Sequence, residues 1–342
     1  MSATGLEFME VSAKGMQAYR APSLLQPHKA RRALQDAYEG RIGPLVGFYL
    51  AFPTVPSARI AAQLGADFVW VDWEHSSCGV ETMTNVVHAI QEGSEGRSMA
   101  FVRLESFGCG FGCRNNKNSH IDIFERVPGH DHANIAFALD AGASIIVPQV
   151  DTVEQAEHVA SAAKFGVARK GARSAPPARW LPGLSAMTID ASRSIWENVN
   201  DQAAVIIQIE SELGVKNLDA ILTSVGDQID AVWIGTLDLR VSMGLDGMWG
   251  EEPEFQNAIR LYEETLRKHN KPNSGQSFNE NWTLGANKSF TVVAGDWLAF
   301  LSQRDTIQSA RQNLPASDKR QKSAPLKQNG NGLDVDVNTS QS

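Results

Sequence analysis

The chain has 342 residues, 42% hydrophobic and 20% charged, which excludes a largely disordered, collagen-like or coiled-coil protein and supplies enough apolar material for a large core. Its 31 basic and 39 acidic side chains give a net charge of -8 with no long basic cluster, which argues against nucleic acid as the main ligand. The length suits either two domains of roughly 150 residues or one α/β barrel of about 250 residues with flexible ends.

In chain order, residues 1–40 read as an N-terminal arm. It lacks the apolar run of a secretory signal, and its segment 31–38 has helical character suited to covering one end of a core. The longest apolar stretch, 42–55, is broken by Gly and Pro and is too short to span a bilayer. Three cysteines, Cys78, Cys109 and Cys113, are too few for a disulfide framework. Together these features predict a soluble, cytoplasmic protein without a membrane partner.

From residue 41 to 316, β-branched or aromatic runs alternate with stretches of helical period. The expected strands are 46–52, 67–72, 99–103, 144–148, 204–209, 231–234, a weak 272–276, and 290–294. Helical stretches lie at 56–64, 80–91, 133–141, 152–164, 218–225, 253–269 and 306–314. Eight strands that look buried on both faces, each followed by a helix or long connection, predict a (β/α)8 barrel rather than an open sheet. No phosphate-cradling glycine loop follows the first strand, which weakens a dinucleotide-binding reading.

The segment 104–126 interrupts this rhythm. It is far longer than an ordinary βα loop and resembles neither a strand nor a helix, so it reads as an insertion without a folded role rather than as a lid. Within it, Cys109 and Cys113 with His120 lack a second ligand pair for zinc, and its glycines mimic a nucleotide loop only superficially. From Ser317 to Ser342 the chain is polar and nearly free of large apolar residues, the composition of a disordered tail.

In a barrel, groups at the C-terminal ends of the strands face the active-site mouth. The second strand leads into Asp72-Trp73-Glu74-His75, the third ends in Arg103, the fifth in Gln208-Ile209-Glu210, and the sixth in Gly235-Thr236-Leu237-Asp238. Glu210 and Asp238 lie one βα unit apart and could share a hard divalent cation, completed by water and a chelating substrate. Alternatively each caps a helix or pairs with a surface cation. His75 is suited to proton transfer near neutral pH, or else is a packed histidine at a strand end. Arg103 has the planar fork to hold a carboxylate and a developing enolate, or else forms a salt bridge at the mouth. Trp73 could wall the pocket, though packing is the commoner role, and His130 and His132 read as loop histidines.

The runs GADFVWVDWEHSSCGVETM, FVR, ALDAGASIIVPQVDTVEQAE, KGARS, VIIQIESELGVKNLDAIL and AVWIGTLDLRVSMG together resemble the HpcH/HpaI aldolase/citrate lyase family of pyruvate-dependent class II aldolases. The resemblance covers residues 44–314. It implies a (β/α)8 barrel of the phosphoenolpyruvate/pyruvate type, a hexameric homo-oligomer with an exchanged last helix, and a divalent metal (Mg2+, Mn2+ or Co2+) at the mouth. By that likeness Glu210 and Asp238 are the metal ligands, and Gln208 and Arg103 contact pyruvate or its enolate. His75 is the base, and Asp140 orients it as a dyad partner. The implied reaction cleaves or forms the C3–C4 bond of a 2-oxo-4-hydroxy acid, giving pyruvate and an aldehyde. No lysine stands out at a strand end for Schiff-base chemistry.

The chain departs from the family pattern in two places. Leu237 replaces a small residue before Asp238 and would narrow the substrate pocket, while Arg240 would add a charge nearby. The family's Val-Arg-Val-Pro run is split here, so Arg103 and Arg126 both qualify for the arginine role; Arg103 is chosen because the strand ends there. Two rival functions remain. One is an acyl-CoA lyase of the citrate-lyase-beta type, which needs a basic patch that only Arg169, Lys170 and Arg173 could offer. The other is a catalytically impaired barrel serving in binding or assembly.

Overall fold

A computed structural model describes residues 15–21, 23, 25–104, 131–166, 170–181, 190, 192–278 and 288–314. Most of the suspected insertion, including Cys109, Cys113, His120 and Arg126, lies outside the described residues, as do His130, Arg169 and the tail 317–342. The chain divides into two compact units, 1–298 and 299–342.

The first unit holds a closed barrel of eight parallel strands in sequence order. They are β1 Leu45–Leu50, β2 Phe68–Asp72, β3 Met99–Arg103, β4 Ser144–Val147, β5 Val205–Ile209, β6 Ala231–Ile234, β7 Asn273–Gln276 and β8 Phe290–Gly295. Pairing of Leu45 with Phe290 closes the ring. This is the expected (β/α)8 architecture, and its strands match the predicted runs within two residues at each end.

A parallel barrel buries both faces of every strand. One alternating set, including Leu45, Phe68, Trp70, Phe101, Ile206, Trp233 and Phe290, packs the interior. The rings of Phe68 and Phe290 stack there with centroids 3.6 Å apart. The other set, including Val69, Val71, Val102, Ile145, Val147 and Ile207, packs outward against the helices. A Cβ on Gly47 would lie 2.0 Å from the Phe68 ring, so only glycine lets that ring occupy the interior.

The helices are α1 Ala30–Tyr38, α2 Val55–Ala61, α3 Val80–Gly93, α4 His132–Asp140, α5 Val153–Ala163, α6 Ile195–Asn200, α7 Glu212–Val225, α8 Thr236–Ser242, α9 Pro253–Lys268 and α10 Asp296–Asn313. Thr54, Thr152 and Ser194 open α2, α5 and α6 with reciprocal capping boxes. The sequence reading missed α6 and α8 and started α7 and α10 several residues late. Ala30, Ala33 and Leu34 of α1 join the interior cluster. Arg31 fixes this plug to the N-terminal rim through Asp230 at 2.6 Å and Asp201 at 3.2 Å. No residue of α10 is buried.

Leu104, placed in the insertion by the sequence reading, belongs to the barrel. It is 1% exposed and its N–H donates to the Ile146 carbonyl at 3.0 Å, continuing the β3–β4 ladder.

Candidate active site

The C-terminal ends of β2 and β3 set Asp72 directly beside Arg103 in the sheet register. Arg103 Nη2 donates to Asp72 Oδ2 at 2.6 Å, and its Nε donates to Asp72 Oδ1 at 3.0 Å and lies 3.1 Å from Glu74 Oε2. Tyr49, at the end of β1, donates its phenolic proton to Asp72 and accepts from Arg103 Nη2 at 3.2 Å. Burial alone would raise the Asp72 carboxyl, but the Arg103 charge and its hydrogen bonds outweigh burial and hold it below its ordinary value. Burial would likewise depress the Arg103 guanidinium, yet Asp72, Tyr49 and Glu74 keep it above its usual range. Its Nη1 takes part in none of these contacts. The plane of the guanidinium is supported by the Trp70 ring, 4.8 Å away.

Glu210 ends β5 and is 5% exposed. Its carboxyl is pushed up to about 8 by burial, then by the charges of Asp238 and Glu74, with Arg103 and the Gln149 N–H opposing. That N–H donates to Glu210 Oε1 at 2.7 Å from a residue held at φ 50. A Cβ at Gly235 would fall 2.3 Å from Glu210 Oε2, so glycine leaves room for the carboxylate to stand against the β6 end. A buried carboxylate beside two more acids and short of positive charge is the electrostatic condition that a divalent cation relieves. Among the described residues no group of three or more His, Cys, Asp or Glu could hold an ion alone, so ligands beyond Glu210 and Asp238 would come from water or substrate.

Tyr49, Arg103, Glu210 and Asp238 line a cavity of about 340 Å³ at the mouth, together with His75, Gln208 and Leu237. Arg103, Gln208, Glu210, Asp238, His75 and Leu237 are thus gathered at one site. Gln208 is 2% exposed and its Oε1 has no hydrogen-bond partner among the described residues. The His75 side chain is 64% exposed, its Nε2 lies 3.7 Å from Glu74 Oε2, and its backbone N–H donates to Asp72 Oδ1 at 3.2 Å.

The structure moves three residues away from their expected places. Within one chain Asp140 is not beside His75. It ends α4 just ahead of β4, at the rim opposite the mouth, where its Oδ1 accepts from Arg173 Nη2 at 2.5 Å and Arg179 Nη2 at 2.9 Å. A helix leading into a barrel strand finishes at the strand's N-terminal end, and the Asp-Ala-Gly turn cannot reach back. Arg240 turns out of the pocket and is 2% exposed, with Nη1 2.6 Å from Glu252 Oε2. Arg173 is tied to Asp140 at the far rim, so it supplies no basic patch at the mouth. Trp73 is a packing residue, 3% exposed, with its indole N–H on the Cys78 carbonyl at 2.8 Å.

Sequence reasoning missed Tyr49, Met248 and Trp297, all of which line the cavity. Tyr49 carried a signal, since it ends the first strand in phase with Leu45 and Gly47. Met248 lies in the connection between α8 and α9 and Trp297 is the second residue of α10, neither within a motif.

The model of the HpcH/HpaI aldolase/citrate lyase family matches residues 45–274. The chain belongs to this family. A 4-hydroxy-2-oxovalerate aldolase from Novosphingobium aromaticivorans is 32% identical over 210 residues, covering 60% of this chain and 66% of the relative. A 2-keto-3-deoxy-L-rhamnonate aldolase from Salmonella gallinarum is 32% identical over 218 residues, 63% of this chain and 67% of that one. The matched segment therefore spans about two thirds of these relatives. Among solved structures, macrophomate synthase superposes with a TM-score of 0.71 at 26% identity, covering 92% of this chain and 100% of that one. An HpcH/HpaI family protein from Burkholderia cenocepacia J2315 shares the fold, with a TM-score of 0.63 at 21% identity over 82% of this chain and 99% of that chain. Membership of the HpcH/HpaI family places the chain among carbon–carbon lyases of the aldolase type, and the family match spans Asp72, Arg103, Glu210 and Asp238.

Proposed function

We propose that this HpcH/HpaI protein cleaves, or in reverse forms, the C3–C4 bond of a 2-oxo-4-hydroxy acid, with pyruvate and an aldehyde as the other side of the reaction. The observation that carries this reading is the raised Glu210 carboxyl beside Asp238 in a cavity that also holds the Arg103 guanidinium. Glu210 and Asp238 would hold a divalent cation such as Mg2+, Mn2+ or Co2+. When bound, that ion supplies Lewis-acid polarisation of the 2-oxo group.

The protein's own groups account for the remaining requirements. Arg103, locked by Asp72, Glu74 and Tyr49, presents Nη1 to the carboxylate of the oxo acid and stabilises negative charge as the enolate forms. Gln208 offers its side-chain amide from the floor. His75 takes the proton of the 4-hydroxyl, the C3–C4 bond breaks, and the electron pair left on C3 is delocalised as pyruvate enolate before C3 is protonated. Glu74, 3.7 Å from His75 Nε2, takes the supporting part that the resemblance gave to Asp140.

A mouth bordered by acids, with its described basic residues committed elsewhere, favours this reading over an acyl-CoA lyase, which must hold nucleotide phosphates. A homo-oligomeric state, hexameric by family likeness, is part of the proposal; α10 exposes Phe300, Leu301 and Ile307, and light scattering of the purified chain tests it. A cytoplasmic location is also proposed; among the described residues no helix is long and apolar enough to cross a membrane.

The test is pyruvate release from a 4-hydroxy-2-oxo acid by the purified full chain, before and after EDTA and with each metal returned. Activity restored by metal supports the proposal. Release that survives complete chelation overturns the metal role, and no release with any metal overturns the aldolase.

A further inference from the structure

The cavity's floor joins Arg103, Gln208 and Glu210 to Trp70 and Trp233, and its outer side carries apolar side chains beside His75 and Asp238. Arg103, Gln208 and Glu210 are almost wholly buried, whereas Leu237 is 45% exposed and Met248 41%. Trp297 completes this outer side, its ring held edge-on to Phe278 with centroids 5.6 Å apart. The oxo acid, which needs Arg103 and the Glu210–Asp238 pair, takes the floor, so the other reactant must meet the rim. Arg240, the cation that the sequence placed near this rim, is instead neutralised by Glu252. Arg103 is the only lysine or arginine among the cavity's described lining residues, so a second carboxylate on the partner molecule would meet no cation at the rim.

Resting on the aldolase reading above, we propose that the aldehyde accepted at this rim is an uncharged apolar one, best an aromatic aldehyde, with Leu237, Met248 and Trp297 as the residues that determine specificity. A flat ring can lie against the Trp297 indole and the Leu237 and Met248 side chains. In the condensation direction, pyruvate C3 gives up a proton and its electron pair forms the bond to the aldehyde carbon. The carbonyl π pair moves to the aldehyde oxygen, which takes up a proton, so no outside oxidant or reductant is needed. Narrowing by Leu237 then selects for shape as well as for polarity.

The experiment uses the full chain with Mn2+, pyruvate and a pair of acceptors, benzaldehyde and 4-carboxybenzaldehyde, which differ by one para carboxylate group. The expected kcat/KM for benzaldehyde exceeds that for the carboxylate by at least roughly tenfold, and Leu237→Lys shrinks that ratio severalfold by adding a cation at the rim. Equal or better use of 4-carboxybenzaldehyde by the unaltered chain overturns the proposal. Exchange of the pyruvate C3 protons in D2O, with no aldehyde present, separates the two readings. Exchange without the acceptor preference overturns only the inference about the aldehyde, and absence of exchange with no condensation overturns both.

Discussion

Arg103 is held from three sides by Asp72, Glu74 and Tyr49, so its orientation is determined before any ligand arrives. Arg103→Lys keeps the charge but loses the fork, and it is expected to lower kcat/KM for the oxo acid by roughly 10²–10³ while circular dichroism stays unchanged. Glu210 is in the opposite situation, since its ionised form is disfavoured without a cation. Glu210→Gln should therefore raise the melting temperature of EDTA-treated protein by about 2–4 °C while removing metal retention, both read from melting curves with and without Mn2+. Away from the mouth, His28 is buried with its Nε2 on the Gly96 carbonyl, and burial pulls its pKa from 6.5 to about 4. A histidine neutral in the fold but protonated when unfolded contributes its full stability above pH 6.5, and loses it as pH falls toward 4. That is roughly 3 kcal/mol, and His28→Gln should flatten the pH dependence of urea denaturation across this window.

At the level of elements, the strands were legible because each is a short β-branched or aromatic run bounded by turn residues, and because a barrel strand is buried on both faces. The ends of those strands named Arg103, Gln208, Glu210 and Asp238 as candidates for the mouth. Helices α6 and α8 were not legible, since six or seven residues carry too little periodicity, although the Ser194–Glu197 capping box marked the start of α6. Interior packing adds a constraint invisible in a single element, namely that Gly47 of β1 makes room for Phe68 of β2. Gly47→Ala is expected to cost about 1–3 kcal/mol in chemical denaturation, because the Phe68 ring is wedged against Phe290 and has nowhere to retreat.

For the whole molecule, closure of the sheet and its plug act together. Leu34 of α1 is 1% exposed inside the interior cluster, so Leu34→Ala should cost roughly 2–5 kcal/mol, measured by calorimetry. The β3–β4 ladder continues through Leu104 to Ile146, so excising residues 105–126, which the sequence marks as an insertion, should leave a cooperative transition and aldolase activity at least equal to that of the full chain. A shortened chain that fails to fold would show that this segment belongs to the barrel. The sequence by itself determined the strand order, the barrel class and the cast of polar residues at the strand ends, since these follow from local periodicity. Only the tertiary structure decided which of them meet. It put Asp140 at the opposite rim with Arg173 and Arg179, turned Arg240 onto Glu252, and joined Tyr49, Asp72 and Arg103 into one network. Those pairings form between segments distant in the chain, and they depend on the direction of each helix and on the register of a closed sheet, which no local pattern encodes.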